Sequence, residues 1–173
     1  MIEFNALFLN EAKAAGSLNH PNIVTVYDAG TSAQGTYIAM ELLKGKDLRQ
    51  LLSVGWRPTP VQSALVMRRV ADALSYAHHK GVIHRDIKPA NIFMVGRAQP
   101  RVLDFGIARI RQVESLTKDD EQSRFQEIVG GSPYYMAPEQ VRHESVDRRV
   151  DVYAMGVVLF ELLTGRRAFS GSK

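Results

Sequence analysis

Asn91 and Asp104 stand thirteen positions apart and bracket two short strand-like runs, Ile92-Phe93-Met94-Val95 and Arg101-Val102-Leu103. A turn from Gly96 to Pro100 joins them, and runs of this length bounded by glycine and proline predict a β-hairpin. A hairpin returns to its own starting point, so this one would set the Asn91 amide and the Asp104 carboxylate side by side. Two oxygen acceptors so placed suit one divalent metal ion. Immediately upstream, His84-Arg85-Asp86-Ile87-Lys88-Pro89-Ala90 supplies a further carboxylate, Asp86, placed to receive a proton from an attacking hydroxyl.

A third element, Ala137-Pro138-Glu139, begins 33 positions after Asp104. Each tripeptide alone is common, but the eight-residue loop, Asp104-Phe105-Gly106 and Ala137-Pro138-Glu139 occur together and in order. The set resembles the catalytic core of protein kinases, and the resemblance runs from about Glu11 to the C-terminus. It implies an α+β fold with two lobes: part of a small lobe (one helix plus strands) and a mainly helical large lobe, both incomplete. The implied division puts the rear of the small lobe and the hinge in residues 1–43, and the first part of the large lobe in residues 44–173. The implied activity is transfer of the ATP γ-phosphoryl group to protein hydroxyls, with Mg²⁺ held by Asn91 and Asp104. Asp86 would orient the hydroxyl and take its proton, and Lys88 would stabilise the phosphoryl oxygens. Lys88, two residues after Asp86, and Gly131-Ser132-Pro133-Tyr134-Tyr135 favour Ser/Thr over Tyr as acceptor. Ser132 stands where the family usually has Thr and keeps the hydroxyl.

The resemblance assigns further positions. Glu11 falls where a helix glutamate pairs with the phosphate-holding lysine, although a solvated helix face accounts for it as well. Met40 to Gly45 resembles the hinge: the backbone of Glu41 and Leu43 would meet the adenine edge, with Met40 at the back of the pocket. Asp47 matches a ribose-hydroxyl acceptor and equally suits the start of a short helix through Leu48 and Leu51; the two roles are compatible. Phe93 fits either an adenine floor or a buried strand aromatic. Arg85, before the catalytic Asp, often pairs with a phosphate on the activation loop, here Arg111 to Glu127, where Ser115, Thr117 and Ser123 offer hydroxyls. Glu127 could offer a permanent charge there, and an unregulated solvated loop is the competing reading. Glu139 usually pairs with an Arg further along the family's chain, and Asp151 would accept backbone N–H bonds from the catalytic loop. His20-Pro21-Asn22-Ile23-Val24 and Tyr134 to Gln140 look similar to bacterial members.

Periodicity fills in the frame. Residues from Phe4 to Leu18 have helical spacing, and Ile23 to Tyr27 and Tyr37 to Met40 read as strands. Thr59-Pro60-Val61-Gln62 combines a capping hydroxyl, proline at the first helical position and Gln three after the cap, which predicts a helix ending at Lys80-Gly81. His78 and His79 read as helix-end residues rather than ligands, and His84 as a core packing residue. Asp151 to Leu163 is apolar on nearly every side, as suits a helix surrounded by protein.

Composition narrows the classes. The chain has 173 residues, 45% hydrophobic and 23% charged, with no cysteine, so neither disulfides nor thiolate chemistry enter. A net charge of +4 and a pI near 9.5 raise the question of nucleic acid, but Lys and Arg are scattered and no aromatics interleave with them. No stretch approaches the ~20 apolar residues of a spanning helix, and the start lacks a secretion signal. A cytoplasmic protein with Ser/Thr-bearing protein substrates and no nucleic-acid partner is expected, its oligomeric state left open. No lysine precedes Lys13 and no Gly-x-Gly-x-x-Gly occurs, so the chain is expected to be an inactive fragment truncated at both ends. A non-catalytic kinase-like module binding nucleotide or a partner protein is the alternative, and a small-molecule phosphotransferase a weaker one.

Overall fold

The computed structural model describes residues 10, 12–33, 35–96, 99–105 and 133–170. Glu11, Ser132 and the loop expected at Arg111 to Glu127, with Ser115, Thr117, Ser123 and Glu127, lie outside the described residues.

Two antiparallel sheets organise the first half. Strands β1 (Val26–Ser32) and β2 (Gly35–Met40) form one; β3 (Gly45–Asp47), β4 (Ile92–Val95) and β5 (Gln99–Val102) form the other, in that order. The chain at Asn22 to Val24 joins the second sheet at its β5 edge. Val102 N–H donates to Asn22 O at 2.8 Å and Val24 N–H to Val102 O at 3.0 Å. Ile23 and Val24 are thereby buried, while β1 and β2 are mostly exposed.

This differs from the strand expected at Ile23 to Tyr27. The first strand starts later and runs on through Asp28-Ala29-Gly30-Thr31-Ser32, a stretch with too few apolar residues to announce itself. What holds it is backbone pairing to β2, aided by the Tyr37 hydroxyl donating to Asp28 Oδ2 at 2.9 Å. Strand β3 was not expected either. Gly45 permits it, because a Cβ there would lie 2.0 Å from the Met94 carbonyl oxygen.

Helix α1 (Leu48–Ser53) begins at Asp47, whose Oδ1 accepts from Gln50 N at 2.8 Å while Gln50 Oε1 accepts from Asp47 N at 3.0 Å. Helix α2 (Pro60–His79) has the same reciprocal cap between Thr59 and Gln62, with Pro60 in its first turn. Such caps satisfy N–H groups that the helix itself leaves open. Helix α2 turns Val66, Met67, Val70, Ala73, Leu74 and Ala77 inward, against β5 and helix α4 (Arg149–Thr164). Each large side chain so buried contributes about 1.5–3 kcal/mol. A short helix α3 (Pro138–Val141) precedes α4.

Helix α4 departs from the expectation of a helix enclosed by protein. It buries Val150, Asp151, Ala154, Val157, Val158 and Leu162, yet Val152, Phe160 and Leu163 are exposed. The described residues pack against one side of it only. None of the helices among them is long and apolar enough to cross a membrane.

Candidate active site

The loop from His84 to Asn91 is fixed from three directions. Asp151, buried at the start of α4, accepts from His84 N at 2.9 Å through Oδ2 and from Arg85 N at 2.8 Å through Oδ1. Gln140, buried in α3, donates its Nε2 to Arg85 O at 2.8 Å. The His84 ring receives Asp86 N–H on Nδ1 at 3.1 Å and donates from Nε2 to Leu103 O at 2.6 Å. A carbonyl can only accept and an N–H can only donate, so these partners assign the tautomer. Phe105 packs edge-on to that ring, centroids 4.6 Å apart.

Clamping matters because Arg85 has φ 69° and Asp104 φ 62°, both in the left-handed region that non-glycine residues avoid. Such backbone persists where the surroundings over-determine it, as Asp151 and Gln140 do for Arg85.

The hairpin closes the site. Leu103 N–H donates to Asn91 O at 2.9 Å, so Asn91 and Asp104 are brought to one place from either end of β4 and β5. Asn91 Nδ2 donates to Asp86 O at 2.8 Å and to Asp86 Oδ2 at 3.2 Å. That leaves Asn91 Oδ1 as the amide atom free to face a cation. With the Asp104 carboxylate it could offer hard oxygens of the kind Mg²⁺ takes, although no cluster of three or more His, Asp or Glu suited to a metal occurs among the described residues. The Lys88 ammonium lies 2.7 Å from Asp86 Oδ2. Asp86 Oδ2 is therefore engaged twice, and Oδ1 has no partner among the described residues.

Above the site, an apolar cleft lined by Ala12, Ala15, Ile23, Val24, Val26, Ile38 and Met40 ends on Asp104 and Phe105. Met40 is part of its wall. Glu41 is anchored on both sides: its N–H donates to Thr25 O and its Oε1 accepts from Thr25 N, each at 2.9 Å. Arg101 stands 3.6 Å from the same carboxylate. Leu43 is half-buried, and among the described residues its N–H has no backbone acceptor. Asp47 is buried and capping α1, with Arg49 at 3.4 Å from its Oδ2. Phe93 is half-buried in β4, opposite Asp47 and Arg101, its ring against Gly45. Glu139, half-buried in the first turn of α3, forms no ion pair among the described residues.

Three contacts escaped the sequence. His78 donates from Nε2 to Asp151 Oδ2 at 2.7 Å, across 73 residues, so it supports the catalytic loop rather than simply ending a helix. Burial alone would push the Asp151 carboxyl up. The His78 hydrogen bond, the electrostatic influence of His84 and the N–H groups of His84 and Arg85 outweigh it and hold the group below the ordinary range. The second is Gln140, and the third is Tyr135, whose hydroxyl donates to Glu161 at 2.5 Å. Burial, then that carboxylate, pushes the phenol well up. All three join segments distant in sequence, and only the first could have been suspected, from a helix-end histidine facing an aspartate at a later helix start.

Comparison with known proteins points the same way. The family described as the protein kinase domain matches residues 3–173. The chain is 42% identical over 177 residues to a probable serine/threonine-protein kinase PknB of Bifidobacterium longum, covering 97% of this chain and 25% of that protein. It is 44% identical over 169 residues to the serine/threonine-protein kinase pkn3 of Myxococcus xanthus, covering 95% and 30%. With the serine/threonine-protein kinase PrkC of Bacillus subtilis the identity is 38% over 169 residues, covering 98% and 25%. The chain thus spans about a quarter of the length of these relatives. A match along nearly all of its residues, joined to a loop that brings Asp86, Lys88 and Asn91 into contact and a hairpin that returns to Asn91 just before Asp104, places this chain in the protein kinase domain family.

Proposed function

We propose that this chain carries the catalytic centre of a serine/threonine protein kinase, which transfers the γ-phosphoryl group of ATP to Ser or Thr hydroxyls of a protein. In this reading residues 1–43 belong to the small lobe and hinge, and residues 44–173 to the large lobe. The observation that supports it most is the contact of Asp86 with both Lys88 and Asn91, together with the backbone bond from Leu103 to Asn91 that returns the hairpin beside Asn91 just before Asp104.

Asn91 Oδ1 and the Asp104 carboxylate would hold Mg²⁺. When bound, Mg²⁺ and ATP supply the phosphoryl group and the neutralisation of its charge. The chain's own residues do the rest by position. Asp86 Oδ1, the oxygen left without a partner, faces the acceptor hydroxyl, orients it and takes its proton. Lys88, already at Asp86 Oδ2, adds a positive charge beside the transferred group. An adenine would meet the backbone of Glu41 and Leu43 at its edge, with Met40 behind it. Asp47, capping α1 through Oδ1 and 3.4 Å from Arg49 at Oδ2, would accept a ribose hydroxyl at Oδ2, and Phe93 lies on the same sheet. The catalytic face needs Arg85 in its strained conformation, which Asp151 and Gln140 hold.

The test is Mg²⁺-dependent phosphate transfer to mixed Ser/Thr protein substrates by the whole protein that carries this segment, the segment alone being expected inactive. Asp86→Asn should lower transfer by roughly 10²–10⁴-fold, the range for loss of a positioned base, with nucleotide binding retained. Nucleotide binding without any transfer by that whole protein would instead make this a non-catalytic kinase-like module.

A further inference from the structure

Beside Lys88 an open groove runs between α1, the start of α2's preceding loop, Tyr135 and the end of α4. Its charged lining residues are Arg49, Arg57, Lys88, Arg167 and a single carboxylate, Glu161. Glu161 is already the acceptor of the Tyr135 hydroxyl. The arginines are less committed. Arg49 is exposed and only 3.4 Å from Asp47 at its nearest. Arg57 donates to the Leu52 and Trp56 carbonyls, at 3.2 and 2.9 Å, and lies against Gly165. Arg167 rests over the Tyr134 ring at 4.9 Å. Among the described residues neither Arg57 nor Arg167 has a carboxylate partner. The groove is therefore cationic, and its three arginines are exposed while Lys88 is half-buried against Asp86. It reaches the catalytic loop itself, since Lys88, Pro89 and Ala90 form one wall and Lys88 touches Asp86.

We infer that this groove selects acidic protein substrates: it binds carboxylate or phosphate groups lying near the Ser or Thr that meets Asp86. The inference rests on the kinase reading and adds the substrate class to it. A guanidinium donates in a planar fork matched to carboxylate and phosphate oxygens, so Arg49, Arg57 and Arg167 suit such groups better than lysines would. A basic segment would meet three exposed arginines, of which only Arg49 has a carboxylate partner among the described residues, and one occupied carboxylate. Charges at such a rim act on selection and encounter more than on total affinity.

The experiment measures binding of a labelled Ser peptide flanked by glutamates, with its glutamine and lysine counterparts, by fluorescence anisotropy at low salt. The chain should bind the glutamate peptide roughly fivefold or more tightly than the glutamine peptide, the scale of two exposed ion pairs, and the lysine peptide least. Arg49→Ala with Arg167→Ala should abolish that preference. Arg68→Ala with Lys80→Ala, which removes equal charge from α2 and its cap, should leave it. Equal binding of the three peptides overturns the inference, as does equal loss in both double variants, which would reduce the effect to net charge. Mg²⁺-dependent ATP binding is measured on the same samples. Intact ATP binding without acidic preference removes the groove proposal alone; acidic preference without ATP binding removes the nucleotide site proposed for this chain and leaves the groove's preference standing.

Discussion

At Arg85 the backbone adopts φ 69°, at a cost of order 1–3 kcal/mol for such a conformation. Asp151 is the residue that makes this sustainable, receiving two backbone N–H groups and the His78 ring within one buried carboxylate. Replacing it by Asn preserves shape but turns an NH₂ toward a donor that needs an acceptor. Asp151→Asn should destabilise the chain by about 3 kcal/mol, the scale for a broken buried charged network, read by urea unfolding. The same variant has a pH signature. A carboxyl held below its ordinary pKa of 3.8 contributes stability above that pH and loses it as pH falls through the folded value. The gap between parent and Asp151→Asn should therefore be full at pH 7 and narrow below about pH 3.8; a gap independent of pH would refute the assignment. The scaffold aspartate was legible because it opens a long apolar helix in a recognisable motif. Its partner His78 was not, since no local pattern reports a contact 73 residues away.

Among the elements, those announced by caps were the readable ones. Asp47 and Thr59 start α1 and α2 where side-chain chemistry requires a start, and the β4–β5 hairpin forms as expected except that β5 begins earlier, at Gln99, takes in Pro100 and ends before Leu103. The errors share a different cause. β1 extends through polar residues because pairing to β2, not burial, holds it. β3 is three residues long, and its signal is a close backbone approach rather than an apolar run. That approach yields a sharp contrast. Gly45→Ala would set a Cβ 2.0 Å from Met94 O and should cost roughly 3 kcal/mol, the upper end of overpacking penalties, lifting β3 from β4. Gly55→Ala, at φ 87° in open space, should cost about 1 kcal/mol from backbone strain alone. Similar losses for the two in denaturant titration would contradict the packing given to β3.

Across the whole molecule, chemistry is concentrated where the sheet β3–β4–β5 meets the loop ahead of it, and the helices serve to hold that junction. Asp104 and Asn91 were legible together because a hairpin has only one way to return, whereas the cationic groove was not, because Arg49, Arg57 and Arg167 come from three separated segments. The exposed side of α4, with Val152, Phe160 and Leu163, was misjudged because an all-apolar helix says what it tolerates, not which of its faces these residues cover. The central claim is that Asn91 and Asp104 form one metal-dependent nucleotide site, and calorimetric titration of ATP with and without Mg²⁺ tests it most directly. The account predicts binding that requires Mg²⁺ and falls at least about tenfold in Asp104→Ala, as loss of a metal's charged ligand implies. Binding equal with and without Mg²⁺, or unchanged in Asp104→Ala, would contradict it.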